Sequence, residues 1–81
     1  MARVSGQTDG DNVLAALGAT VRAMRNATGL SQEALADAAG IDRSHMGKIE
    51  RGERNVTMLN IARIAAALDT KPSEVLRLSG L

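Results

Sequence analysis

Side chains that carry positive charge or donate hydrogen bonds are concentrated in IDRSHMGKIERGERN, residues 41–55. Arg43 carries a planar fork that matches the O6 and N7 acceptors of a guanine, and Ser44 can donate or accept a hydrogen bond. Lys48 follows Ser44 by one helical turn and therefore lies on the same face of a helix. These residue types at this spacing suit recognition of an anionic partner rich in hydrogen-bond acceptors.

The same stretch offers little for catalysis or metal binding. His45 is the one histidine of the chain, and the chain has no cysteine, so no ligand set for zinc is recognisable. We find no nucleophile with a base and an acid, no paired carboxylates and no glycine-rich phosphate loop. We therefore expect no enzyme, no metal and no cofactor. For His45 two interpretations stay open: a contact with a phosphate or base edge, or a partly packed side chain.

Helical spacing of apolar residues predicts five short helices and no strands. The first has Asp11 or Asn12 as its N-cap candidate and ends near Thr28 and Gly29. Thr57 is the N-cap candidate of the fourth helix, and Pro72 suits the first turn of the fifth. The apolar positions predicted to face inward on the fourth helix are Leu59, Ile61, Ile64, Ala65 and Leu68.

The second and third helices are separated by a very short turn. Ser31 is the N-cap candidate of the second helix, and Gly40 ends it in the left-handed conformation. Only Ile41 separates Gly40 from Asp42, the N-cap candidate of a third helix that runs to about Arg51. A connection of this length is typical of a helix-turn-helix unit.

Composition places all of this in one small domain. The chain has 81 residues, with no Phe, Trp or Tyr, so its core must consist of aliphatic residues and alanine, as in closely packed helices. No apolar run is long enough to cross a membrane and no signal peptide is recognisable, which predicts a cytoplasmic protein. Residues 1–11 are polar and without periodicity, and we expect a flexible arm, with Arg3 available to a minor groove as an alternative. Residues 12–81 form the predicted domain.

Three motifs carry a family resemblance over nearly the whole predicted domain: GLSQEALADAAGI, the IERGER that ends the third helix, and KPSEVL at the start of the fifth. Their types, order and spacing resemble the phage-repressor and Cro-type (XRE-like) helix-turn-helix family. Within it, DRSHMGKIERGERNVT is similar to the controller proteins of restriction–modification systems. The resemblance implies an all-α, compact five-helix, lambda-repressor-like domain that binds double-stranded DNA and regulates transcription.

The resemblance also implies roles for three residues outside the exposed face. The family's glutamine at the start of the second helix grips the DNA backbone, which assigns a phosphate contact to Gln32. The family pairs an arginine late in the first helix with a glutamate late in the third, which matches Arg25 and Glu50 and implies a structural brace. Arg43, Ser44 and Lys48 then become the candidates for base reading.

A second place to hold phosphate is expected around the loop after the third helix. Cationic or hydrogen-bonding side chains are clustered there, and a helix N-terminus follows them. Together with Gln32 and His45, the candidates for contacts with the sugar–phosphate backbone are Arg51, Arg54, Asn55 and Thr57.

Gly47 is unusual because it falls in the middle of the third helix, where glycine costs about 1 kcal/mol relative to alanine. Its missing side chain would let the helix settle deeper in a groove or leave room for a base methyl group. The alternative is structural: a neighbouring helix or the short span of the helix fixes the backbone there. The sequence leaves both interpretations open.

The net charge of +1 means that one copy can neutralise only a few phosphates, so we expect two copies on DNA. An apolar strip on the last helix and tail predicts a twofold homodimer. Two reading helices would then contact half-sites about 34–36 Å apart in a palindromic operator. The alternative is that the first two residues of the strip complete the core and the last two are loose. The strip consists of Val75, Leu76, Leu78 and Leu81.

Two functions from different classes remain. The first is a sequence-specific transcription regulator without a small-molecule ligand, controlled by its own concentration. The second is an antitoxin-type interaction module that holds a toxin with its last helix and binds DNA secondarily.

Overall fold

Five helices follow one another along residues 12–81, the part of the chain that the computed structural model describes. The predicted arm of residues 1–11, with Arg3, lies outside the described residues. The all-α prediction is confirmed, and the third helix ends one residue earlier than expected. The helices are α1 Val13–Ala27, α2 Gln32–Ala39, α3 Arg43–Glu50, α4 Met58–Ala67 and α5 Pro72–Leu78.

Side-chain caps determine where three of the helices begin. The Ser31 hydroxyl, an Asp42 carboxylate oxygen and the Thr57 hydroxyl each accept a hydrogen bond from a backbone N–H in the first turn, at 3.0, 3.0 and 3.1 Å. Each cap satisfies a donor that the helix itself cannot pair. Pro72 occupies the first turn of α5 as predicted. Asn12 differs: it precedes α1 in the left-handed region, with φ 58°, and makes no side-chain cap.

Gly40 turns the chain from α2 into α3. Its φ of 68° is in the left-handed region, where a residue without Cβ has no steric penalty. The next residue, Ile41, is buried, and its N–H donates to the Ala36 carbonyl at 2.9 Å. The turn therefore closes α2 with backbone bonds and places Asp42 at the start of α3.

The core lies between all five helices and is built as the composition requires. Small residues let the helices approach closely, and aliphatic side chains fill the space between them. The fully buried members with the largest side chains are Leu35, Met46, Ile49, Ile64, Val21 and Val75, and the buried alanines are Ala36, Ala39 and Ala65.

The helix α1 approaches the end of α3 very closely at Gly18. A Cβ placed on Gly18 would lie 2.7 Å from the carbonyl oxygen of Glu50 and still closer to that of Ile49. Only glycine therefore fits at this crossing. The role of Gly18 was not predicted, because nothing in the sequence distinguishes it from other positions of α1.

Two predictions about apolar residues are wrong. Leu59 does not face inward, and 59% of its surface is exposed. It lies two positions before the buried Ile61, which turns it about 200° away on the helix. Val75 was predicted in a dimer interface, yet it is completely buried in the core and has no surface to offer a partner. Leu76 is only partly exposed and packs against the same core.

None of the helices within residues 12–81 is long and apolar enough to cross a membrane.

Candidate nucleic-acid interface

The N-terminal end of α3 presents the predicted base-reading residues to solvent. The Arg43 side chain is 68% exposed, Ser44 is exposed and Lys48 is half-buried. Asp42 accepts hydrogen bonds from the backbone N–H groups of Ser44 and His45, which fixes where the helix begins. The geometry therefore brings Arg43 and Ser44 together in the first turn, with Lys48 one turn further on.

In the free protein Arg43 forms an exposed ion pair with Glu33 of α2. Its guanidinium lies 3.4 Å from a carboxylate oxygen of Glu33, and both side chains are more than 60% exposed. An ion pair this exposed contributes little to stability, so Arg43 can leave it at small cost.

Arg25 and Glu50 form an ion pair with two hydrogen bonds. Nε of Arg25 donates to Oε2 of Glu50 at 2.8 Å, and a terminal nitrogen donates to Oε1 at 3.1 Å. The side chains are only 12% and 2% exposed. The remaining terminal nitrogen of Arg25 donates to the Leu30 carbonyl at 3.0 Å, so the pair joins α1, the loop before α2, and the end of α3.

Gln32 is part of the same network. Its side-chain nitrogen donates to Oε1 of Glu50 at 3.1 Å, and the residue is half-buried. Its amide carries two N–H groups, so one bond to Glu50 leaves a second donor. For Gln32 the sequence predicted only a phosphate contact, and the structure shows in addition a hydrogen bond to Glu50 of α3.

Arg51 lies just after α3 and is paired with Glu53. Nε of Arg51 donates to Oε2 of Glu53 at 2.8 Å, with both side chains more than half exposed. This hydrogen bond is the main reason why the pKa of Arg51 is raised above its ordinary value. It also lowers the pKa of the Glu53 carboxyl, and the charges of Arg51, Lys48 and Arg54 lower it further.

Comparison with known proteins places this arrangement in a family. A helix-turn-helix domain profile matches residues 16–78. The control protein C.SmaI of Serratia marcescens is 43% identical over 65 residues, which are 80% of this chain and 77% of that protein. The control protein C.BamHI of Bacillus amyloliquefaciens is 37% identical over 82% of this chain and 83% of that protein. The chain belongs to the helix-turn-helix family of control proteins.

A solved structure agrees with that membership. The crystal structure of the restriction–modification controller protein C.AhdI from Aeromonas hydrophila superposes with a TM-score of 0.75 and is 50% identical, covering 76% of this chain and 94% of that chain. The chain is a DNA-binding transcriptional regulator, as the sequence predicts, and the antitoxin alternative is not favoured. Its family is one of regulators rather than of enzymes.

The other candidates for phosphate contacts lie on α3 and in the loop that leads to α4. His45 is half-buried on α3, with its backbone N–H capped. Arg54 is half-buried and Asn55 exposed in the loop before α4. Thr57 is exposed, and its hydroxyl oxygen caps α4 while its hydrogen stays available to donate.

Exposed large apolar residues lie on the last two helices and the tail. Met58 and Leu59 are 63% and 59% exposed, and Leu78 and Leu81 are 48% and 56% exposed. The exposure of Met58 and Leu59 was not predicted. Their spacing could have indicated it, because both lie outside the apolar stripe formed by Ile61, Ile64 and Leu68.

Proposed function

We propose that the protein acts as a homodimer that binds an inverted-repeat operator and regulates restriction–modification genes. The observation that carries the proposal is the exposed first turn of α3, where Arg43 and Ser44 project from a helix whose far end is fixed by Glu50. A helix fits the major groove of B-DNA, and its N-terminal residues contact base edges. Arg43 reads a guanine, Lys48 reads a second base, and Ser44 adapts to either a donor or an acceptor.

Contacts with the sugar–phosphate backbone set the register of α3. Gln32 lies in the first turn of α2, where the helix dipole favours a phosphate, and its second amide N–H is the donor. Arg51 exchanges Glu53 for a phosphate near the C-terminal end of α3. Additional contacts come from the neighbouring side chains His45, Arg54, Asn55 and Thr57.

Dimerisation supplies the affinity that one copy lacks. The net charge of +1 limits how many phosphates a single copy can neutralise. Since Val75 is buried, the proposed interface uses the exposed large apolar residues instead of the predicted strip on α5. This proposed apolar surface consists of Met58, Leu59, Leu78 and Leu81.

The proposal for the regulated genes is based on the relatives, since C.SmaI is named a control protein and C.AhdI a restriction–modification controller protein. The protein would work in the bacterial cytoplasm, where the operator is. Occupancy of the operator would then depend on protein concentration through dimerisation, without a small-molecule ligand.

Selection from random duplex DNA tests the proposal. We expect an inverted repeat to be enriched, with half-site centres about 34–36 Å apart. With Arg43→Ala, preference should relax at one position per half-site, at a cost of about 1–3 kcal/mol. Enrichment of no site by the wild-type protein would refute sequence-specific binding, and a uniform loss from Arg43→Ala would move this residue to the phosphate contacts.

A further inference from the structure

Gly47 lies in the interior of α3, where glycine is a poorer helix former than alanine. It is buried, so it does not form part of the exposed face that Arg43 and Ser44 present. Neither deep seating in a groove nor space for a base methyl group explains a glycine at a covered position.

Two side chains from different parts of the helix-turn-helix unit cover Gly47. A Cβ placed on it would lie 3.2 Å from Oε1 of Gln32 and 3.2 Å from a terminal nitrogen of Arg51. The side chain of a residue at a helix end points back toward the preceding turn, which brings Arg51 over Gly47. Gln32 reaches the same place from α2, on its way to Glu50.

We infer that Gly47 is a positioning residue for DNA binding: it leaves the space in which Gln32 and Arg51 are held for their phosphate contacts. The inference rests on the proposed function, in which both side chains contact the DNA backbone. A Cβ at this position requires the ends of the Gln32 and Arg51 side chains to shift by a few tenths of an ångström. Both would then approach the DNA backbone from displaced positions.

The nature of the displaced atoms separates this role from ordinary packing. At Gly18 a Cβ would meet backbone carbonyl oxygens, which cannot move without shifting α3. At Gly47 it would meet the free ends of two flexible side chains, which can rotate away. An alanine at Gly47 is therefore compatible with the fold, and its better helix propensity favours the folded state.

The first experiment measures folding and operator binding of Gly47→Ala separately. We expect a melting temperature equal to or above that of the wild type. Operator affinity should fall about tenfold, the effect of losing one hydrogen bond to a charged group. Unchanged affinity would overturn the inference. A fall in melting temperature as large as that of Gly18→Ala would also overturn it, because Gly47 would then be a packing position.

A background that lacks both side chains decides how Gly47 acts. In Gln32→Ala/Arg51→Ala, measured at low salt to keep binding detectable, we expect Gly47→Ala to change affinity by less than about twofold, because the side chains that it displaces are gone. An undiminished loss in that background would mean that the added methyl group clashes with DNA directly, contrary to the inference. The operator DNA comes from the selection experiment. A wild-type protein that selects no site would refute the proposed function. A wild-type protein that selects a site which Gly47→Ala binds with unchanged affinity would refute this inference alone.

Discussion

Arg25 of α1 and Glu50 of α3 face each other through two hydrogen bonds of 2.8 and 3.1 Å, with Glu50 almost completely covered. Glu50 is the last residue of α3, and Arg43 and Ser44, two of the proposed base-reading residues, lie at the opposite end of the same helix. The pair therefore fixes the orientation of α3 against α1. Since the Gln32 amide also donates to Glu50, one carboxylate connects three elements of the DNA-binding unit.

Removing this carboxylate should destabilise the protein strongly. We expect Glu50→Ala to lower the free energy of unfolding by about 3 kcal/mol or more, because Arg25 is left charged and without its partner in a largely covered site. Thermal or urea unfolding measures the change. Glu53→Ala is the matched control: it also deletes a glutamate paired with an arginine, but both partners are more than half exposed, so stability should be nearly unchanged. Equal effects of the two substitutions would argue against the brace.

The crossing of α1 over α3 predicts a second destabilised variant. Gly18→Ala puts a methyl group against two backbone carbonyl oxygens, so the helices must separate. We expect a loss of about 1–3 kcal/mol, the usual effect of overpacking, and a lower melting temperature. Gly47→Ala is the control, because the same change there meets only movable side-chain ends. A Gly18→Ala protein as stable as the wild type would show that the crossing can relax without cost.

Local chemistry made much of the fold predictable. Ser31, Asp42 and Thr57 are cap residues whose preference for helix starts is intrinsic, and Gly40 is the residue that a left-handed turn requires. Arg25 and Glu50 are far apart in sequence, and their pairing was expected only from the family resemblance. The exposed position of Arg43 followed from its place directly after a cap.

Positions whose role depends on a distant neighbour were not predictable. From the sequence, Gly47 is only a poor helix former in the middle of a helix. The structure shows that the Gln32 and Arg51 side chains cover it. Val75 and Leu78 are both apolar positions of α5, and their sequence does not reveal which one the rest of the chain covers. Burial is decided by how helices pack, and that information is absent from the periodicity of one helix.

The exchange of Arg51 between Glu53 and a phosphate predicts a proton linkage. In the free protein the hydrogen bond from Arg51 is the main cause of a lowered pKa at Glu53, so the stabilisation from this pair is present above the ordinary glutamate pKa and lost as pH falls through the lowered one. When Arg51 moves to a phosphate, Glu53 loses its partner, and its pKa should rise. DNA binding then takes up a proton at Glu53, so operator affinity should increase as pH falls toward the pKa of Glu53 in the complex.

NMR titration of the Glu53 carboxyl with and without operator DNA measures the shift directly. Arg51→Ala provides the control, since it should raise the pKa of Glu53 in the free protein and remove the change on binding. A pKa of Glu53 that is the same in both states would mean that Arg51 stays on the carboxylate, and its proposed phosphate contact would be wrong.

The apolar surface on α4 and the tail predicts where the two copies meet. Leu59 is 59% exposed, and a carboxylate in its place would be unpaired in an apolar interface. We expect Leu59→Asp to raise the dimer dissociation constant at least about tenfold, measured by sedimentation at micromolar concentration. Ala19→Asp adds the same charge to an exposed position on α1 and should leave the dimer unchanged.

Leu78→Asp locates the interface more closely, because Leu78 lies at the end of α5, where the sequence alone predicted the contact. If the interface spans α4 and α5, both substitutions weaken the dimer and both reduce binding to a complete operator more than to a single half-site. Weakening by Leu78→Asp alone would confine the interface to the end of α5 and the tail and remove Met58 and Leu59 from it. A wild-type protein that sediments as a monomer at micromolar concentration would contradict the proposed dimer itself.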